Sequence, residues 1–250
     1  MNAPNLRIVA VPCFSGAPWR LERFPVFANE FGATSPALPE AAESVETAAG
    51  AVLAEVERHA SVVLVGDSFG ALVSIAVAAR RPSVLVGLVL SGGFAADPNR
   101  SMVGKVRAWF ARTLPRSVYR TITLRAHAAA LASPFDANAE VPWSTRHSRD
   151  LFLRHTPWKS YVARLRAILT ADFRSRLCDI EVPTLILTPS FDKLVGPVAT
   201  RELSSGIRHS EECVLHETGH MFRFTHPRRY EEAVVDFVRR RVQRRSSRSS

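Results

Sequence analysis

The chain has 250 residues, 46% of them hydrophobic and 22% charged, with a formal net charge of +10. Those values fit one soluble globular domain with a sizeable core and exclude a disordered or fibrous chain. No apolar run reaches the ~20 residues needed to span a bilayer, and the start MNAPNLRIVAVP lacks the cationic opening and cleavage site of a secretory leader, so a cytoplasmic protein is expected.

In chain order, LRIVAV (Leu6–Val11) is short, apolar and rich in β-branched residues, which predicts a buried strand. From Trp19 to Phe31, Leu21, Phe24, Phe27 and Phe31 fall at helical spacing, with Pro25 disturbing the middle, and Thr34–Leu38 reads as a further strand. Ser44 caps a helix to His59 whose face carries Val45, Ala48, Val52, Val56 and His59. A strand (Val62–Val65), a helix (Phe69–Arg81) and a strand (Val84–Leu90) follow. Near the end come a strand (Thr184–Leu187), a helix from about Pro197, a strand (Glu212–Leu215) and a helix (Pro227–Arg241). Strands that are apolar throughout and alternate with helices predict a mostly parallel sheet with helices on both faces. Between residues 97 and 169 the alternation stops, and an Arg- and Trp-containing, helix-like segment broken by prolines reads as an insertion. The expected organisation is a core of residues 1–96 and 170–241, an insertion of residues 97–169 and a basic, frayed tail of residues 242–250.

Charge follows the same division. The insertion from Asp97 to Arg166 carries 13 Lys/Arg against four Asp/Glu, and the tail from Phe237 holds six arginines and no acid. The tail offers no aromatic residue for base stacking beyond Phe237, so no nucleic-acid partner is expected. Cys13, Cys178 and Cys213 are too few and too scattered for a disulfide frame or a zinc site, and are expected to be buried thiols.

The segment VVLVGDSFGALVSIAVAA raises the chemical question. It places Gly-Asp-Ser-Phe-Gly between an apolar strand and an apolar helix. A strand that feeds a helix through so tight a turn holds its apex residue, Ser68, in a strained positive-φ conformation above the sheet edge. Residues two before and two after must be small where the backbones nearly touch, and these are Gly66 and Gly70. This G-x-S-x-G pattern in that context is a nucleophile elbow. A serine hydroxyl needs a base and a group that orients the base, and the fold that such an elbow resembles supplies them after it, the acid and then a His, each in a loop after a strand. TLIL leads into TPSFDKLVGP and Asp192, and the last strand leads into HETGHMFRFTHP and His220. His216 and His226 are the competing bases, at the strand end and the helix entry, and Asp97 is the competing acid.

These segments, from Arg7 to about Phe237, resemble the α/β-hydrolases. The resemblance rests on GDSFG, PTLILTPSFDKLV and ETGHMFRFTHPRRYEEAVVDFV. It implies an α/β-hydrolase fold with a helical cap inserted after the strand at 84–90, and a Ser68–Asp192–His220 triad acting through an acyl-enzyme without cofactor or metal. The family's leading hairpin is not expected, since LRIVAV follows the start directly. Where relatives carry His-Gly after the first strand, this chain has Pro12-Cys13-Phe14, so one oxyanion donor becomes the N–H of Phe14. The other is the N–H of Phe69 at a helix N-terminus. Trp109, Trp143, Phe152, Trp158 and Tyr161 of the cap are expected to line an acyl pocket.

The expected reaction is hydrolysis of carboxylic esters, of a small molecule or of an acyl group on a thioester-linked carrier. Acyl transfer or perhydrolysis with the same triad, and non-catalytic ligand binding, are the alternatives. The serine apex argues against the dehalogenases and epoxide hydrolases of the family, which use aspartate. Size and cap are also similar to the pimeloyl-carrier-protein methyl esterases. An acidic carrier protein would then dock on Arg107, Arg112, Arg116, Arg120, Arg125, Arg146, Arg149, Arg154, Arg164 and Arg166. No membrane partner is expected.

Overall fold

Alternate residues of each strand belong to two different buried clusters, one on each face of a single sheet. Val9, Val11, Leu64, Leu88, Leu90 and Ile186 join one, and Ile8, Ala10, Val63, Val65, Val89, Leu185 and Leu187 join the other. Burial on both faces is why these strands are apolar throughout. The structure, a computed structural model, describes residues 6–40, 42, 44–98 and 118–243.

Strands β1 (Leu6–Val11), β2 (Ser61–Asp67), β3 (Leu85–Ser91), β4 (Thr184–Phe191) and β5 (Ser210–Gly219) pair in that order, every neighbour parallel. This is the α/β arrangement expected. Strand β5 is an edge whose half-buried Glu211 pairs with Arg240 and Arg241, a charged edge that discourages pairing with another chain. It also runs past Leu215 through His216, so that His220 follows it directly.

Helix α1 (Pro25–Asn29) follows a tight turn at Leu21–Arg23. Pro25 therefore starts a helix, where its missing N–H costs nothing, and does not disturb a longer one. Helix α2 (Val45–Val56) is capped by Ser44, whose hydroxyl accepts from the Thr47 N–H. All ten residues of α3 (Phe69–Ala78) are buried, as befits an apolar helix caught between α2 and the sheet. The expected strand at Thr34–Leu38 is corrected: only Thr34 bridges β1, opposite Val9, and Pro36 and Pro39 have no N–H to continue a ladder. The cysteine expectation is corrected too: Cys13 is buried, but Cys213 is half-buried and Cys178 exposed.

Between β3 and β4 lie a wide helical turn (Tyr119–Thr123) and helices α4 (Leu124–Leu131), α5 (Thr145–His155) and α6 (Trp158–Thr170). The segment leaves and returns at one place: Ala96 bridges Asp172, and the Phe173 N–H donates to Ala95 O at 2.8 Å. Its residues Trp109, Arg107, Arg112 and Arg116, and the tail from 244, lie outside the described residues. After β4 come α7 (Pro197–Gly206), α8 (Phe222–Thr225) and α9 (Pro227–Phe237), the last ending in a wide turn to Gln243. Among the described residues, no helix is long and apolar enough to cross a membrane.

Candidate active site

Every strand of a parallel sheet delivers its C-terminal end to the same edge, and loops there collect residues distant in sequence. Here that edge gathers the loop after β1, Ser68 after β2, Asp192 after β4 and His220 after β5.

Ser68 has φ 55° and ψ −113°, a conformation costly for a residue with a Cβ. Its N–H donates to Ser91 O at 2.8 Å, and its carbonyl accepts from the Ala71 N–H at 2.9 Å, so both sides of the turn are tied down. A Cβ at Gly66 would lie 2.5 Å from Gly70 O, and one at Gly70 would lie 2.5 Å from Pro12 O. The two glycines are therefore required by backbone approach, and the second lets α3 press against the loop after β1.

His220 Nε2 lies 2.9 Å from Ser68 Oγ, and its Nδ1 lies 2.6 Å from Asp192 Oδ2. The second oxygen of Asp192 accepts from the N–H groups of Leu194 and Val195, both at 2.8 Å, which fixes the carboxylate in its loop. Burial acts to lower the pKa of His220, but the Asp192 charge, its hydrogen bond and the more distant Asp67 outweigh it, and the net direction is upward. His216 is exposed on β5, and His226 is buried with Nδ1 on the Thr225 hydroxyl at 2.8 Å. Asp97 lines the cavity described below.

Two groups beside this chain of hydrogen bonds hold positions that the sequence did not reveal. Asp67, the residue before the apex serine, is ion-paired with Arg223 at 2.6 Å, and both side chains are buried. The guanidinium sits between the rings of Trp19 (4.2 Å) and Phe224 (3.9 Å) and also reaches Cys13 Sγ at 3.7 Å. The available signal was charge: an acid inside an otherwise apolar elbow, and a base three residues after His220, each needing a partner.

The second is Arg164, assigned above to a docking surface. It is 2% exposed, so that assignment is corrected. From α6 its Nη1 donates to the carbonyls of Phe14 and Ser15, each at 2.9 Å, while the Thr156 hydroxyl donates to Ser15 O at 3.2 Å. The loop they grip is a turn closed by the Gly16 N–H on Cys13 O at 2.9 Å. Gly16 has φ 73°, and a side chain there would overlap the guanidinium. No carboxylate pairs with Arg164 among the described residues, and burial lowers its pKa. Helical spacing alone could not separate it from its exposed neighbour Arg166.

Above Ser68 and His220 opens a cavity of about 650 Å³, roofed by the segment between β3 and β4. Phe14, Phe152 and Tyr161 line it. Trp143 and Trp158 do not, which corrects two of the expected pocket residues. Trp143 packs on Phe224 at 5.2 Å and faces a neighbouring cleft, and Trp158 stacks behind Tyr161 at 6.3 Å and against Tyr119 at 5.0 Å. Large aromatics at helical spacing serve packing as readily as ligands, and here the flatter demand was core.

The family described as "serine aminopeptidase, S33" matches residues 35–223. A 2-hydroxy-6-oxononadienedioate/2-hydroxy-6-oxononatrienedioate hydrolase of Pseudomonas putida is 28% identical over 187 residues, which cover 70% of this chain and 62% of that protein. The curated relatives that match are longer, and the matched part spans 62% to 66% of their length. Among solved structures, an enol-lactonase from Burkholderia xenovorans LB400 superposes with a TM-score of 0.75 at 23% identity, covering 95% of this chain and 92% of that one. A thermophilic esterase from Thermogutta terrifontis does so with a TM-score of 0.74 at 18% identity, covering 95% and 90%.

Proposed function

Because the chain belongs to the S33 serine aminopeptidase family of α/β-hydrolases, we propose that it is a serine hydrolase of carboxylic esters. The observation that carries this reading is the hydrogen-bonded sequence from Ser68 Oγ through His220 to Asp192, at 2.9 Å and 2.6 Å, with the serine on a strained turn.

Ser68 Oγ attacks the ester carbonyl as His220 Nε2 takes its proton. Asp192 keeps the ring oriented and stabilises the imidazolium. The oxyanion that forms is held by the N–H groups of Phe14 and Phe69. The Phe69 N–H is the first of α3, where no carbonyl lies one turn back to accept it. The C–O bond then breaks, and His220 gives its proton to the departing alkoxide. Water, with His220 again as base, attacks the acyl-enzyme and releases the acid. An apolar cavity over these atoms supports an acyl chain as the recognised portion. No cofactor or metal enters these steps.

A carrier-linked acyl ester is the finer form of the reading, with exposed Arg120, Arg125 and Arg154 on the cap facing an acidic carrier protein. Acyl transfer uses the same intermediate and differs only in the nucleophile that takes the acyl group. Added alcohol or peroxide separates the two by diverting product.

The test is a panel of p-nitrophenyl esters of rising chain length, with a p-nitroanilide arm for peptide-like bonds, run on wild type and Ser68→Ala. Turnover of esters by wild type, lost in Ser68→Ala, is expected, as is a fluorophosphonate adduct that maps to Ser68. Labelling elsewhere, or anilide cleavage without ester cleavage, overturns the reading.

A further inference from the structure

One titratable side chain in the cavity wall has no part in the steps above. His127 enters from α4, stacked on Phe152 with ring centroids 4.6 Å apart and edge-on to Phe14 at 5.3 Å. Its Nδ1 lies 3.2 Å from the Tyr161 hydroxyl. Two aromatic faces and one hydrogen bond thus fix the ring in place.

The fixed ring has a definite polarity. Tyr161 is buried, and its hydroxyl has Nδ1 as its hydrogen-bond partner among the described residues. A buried phenol that kept its proton unshared would be left with an unsatisfied donor. The phenol therefore donates, Nδ1 accepts, and the ring's proton resides on Nε2. Burial, and after it the charge of His220, brings the His127 pKa down to about 4, so the ring is neutral near pH 7. The ring is half-buried and lines the cavity, and its Nε2 has no hydrogen-bond partner among the described residues.

Resting on the hydrolase reading, we propose that His127 Nε2–H is a specificity subsite that recognises an uncharged acceptor oxygen, a ketone or similar carbonyl, on the acyl chain of the substrate. In a mostly apolar enclosure a fixed, directed donor discriminates strongly, because a chain lacking the oxygen leaves that donor unpaired. A carboxylate in its place would meet a neutral donor, and no Lys or Arg lines the cavity among the described residues. Among the described residues the acidic groups of the lining are Asp67, already paired with Arg223, and Asp97.

The experiment compares octanoate esters carrying a ketone at carbon 4, 5 or 6 with plain octanoate and with a chain ending in a carboxylate. The reading is the ratio of kcat/KM for each substituted ester to that for plain octanoate. Wild type is expected to favour one ketone position by about tenfold, the worth of one hydrogen bond to a neutral partner with its desolvation. In His127→Phe, which keeps the stacking, the ratio should fall to near one. In Tyr161→Phe, which frees the tautomer, it should fall part of the way. A ratio near one in wild type, preference for the carboxylate ester, or a ketone preference that survives His127→Phe overturns the subsite while plain octanoate turnover leaves the hydrolase reading standing. Failure of wild type to cleave any of these esters overturns both.

Discussion

The sheet edge and the helical segment above it meet at one site but hold their groups by different means. At the edge, position comes from backbone: parallel strands end together, a forced φ at Ser68 lifts its hydroxyl, and two N–H groups fix the Asp192 carboxylate. In the segment, position comes from buried polar side chains: Arg164 and Thr156 on the loop after β1, and Tyr161 on His127. Damage at the edge should therefore abolish the chemistry, whereas damage above it should alter geometry and selection.

The largest contrast is expected among the histidines. His220→Ala should lower turnover on the order of 10⁴-fold, as removal of a triad base does, while the exposed His216→Ala should turn over esters at close to the wild-type rate. Comparable losses in both would dissolve the assignment of the base.

Arg223→Met comes next and is read by denaturant unfolding. It strands Asp67 as a buried, unpaired charge, for which a loss of about 3–5 kcal/mol is expected. The double change Asp67→Asn with Arg223→Met should recover much of that loss, and a double variant no more stable than the single would contradict the pairing.

Arg164→Met tests the segment's grip on the loop. If the guanidinium aims the Phe14 N–H, kcat/KM should fall about 10²-fold, the scale of one lost oxyanion donor. Inhibition by a trifluoromethyl ketone should weaken in parallel, and KM should change little. Equal losses in KM and in melting temperature, with no change in that inhibitor, would mark Arg164 as scaffold only.

Charge reversal at exposed Arg120 and Arg154 should cost about tenfold in kcat/KM for a carrier-linked ester at low salt and little at 1 M, where screening shortens to ~3 Å. Small esters should be indifferent, and equal effects on both substrates would remove the docking idea.

The smallest effect concerns pH. The base must be neutral to act, and its pKa is raised above the ordinary value of about 6.5. The acidic limb of kcat/KM should therefore lie above that value, with activity lost as pH falls through it, and Asp192→Asn should move the limb down. The same pairing contributes stability that is full below about pH 6.5 and lost as pH rises through the raised pKa. A limb below 6.5 in wild type would contradict the arrangement.

The same two regions differ in how much of them was legible. Gly66, Ser68 and Gly70 obey a spacing imposed by backbone contact, and Asp192 and His220 follow strands whose apolar runs are unmistakable. Local sequence carries that information. Arg164 and Arg166 look alike in a helix whose orientation depends on what it covers, and Trp143 and Trp158 look as suitable for a pocket as Phe152 does. The Asp67–Arg223 pair spans more than 150 residues, so only the folded sheet brings it together. Thr34 shows a local limit as well, since its extended run is cut short by prolines that remove ladder donors.

The Arg164 contact carries a kinetic implication. Its two bonds cross from the roof to the floor of the cavity, so any opening that lifts α6 to admit or discharge a ligand must release the carbonyls of Phe14 and Ser15 in the same movement. The open protein would then lack a formed anion cradle, and the cradle would reassemble only on closing. If the Phe14 N–H is an oxyanion donor, access and catalysis would then exclude one another in time.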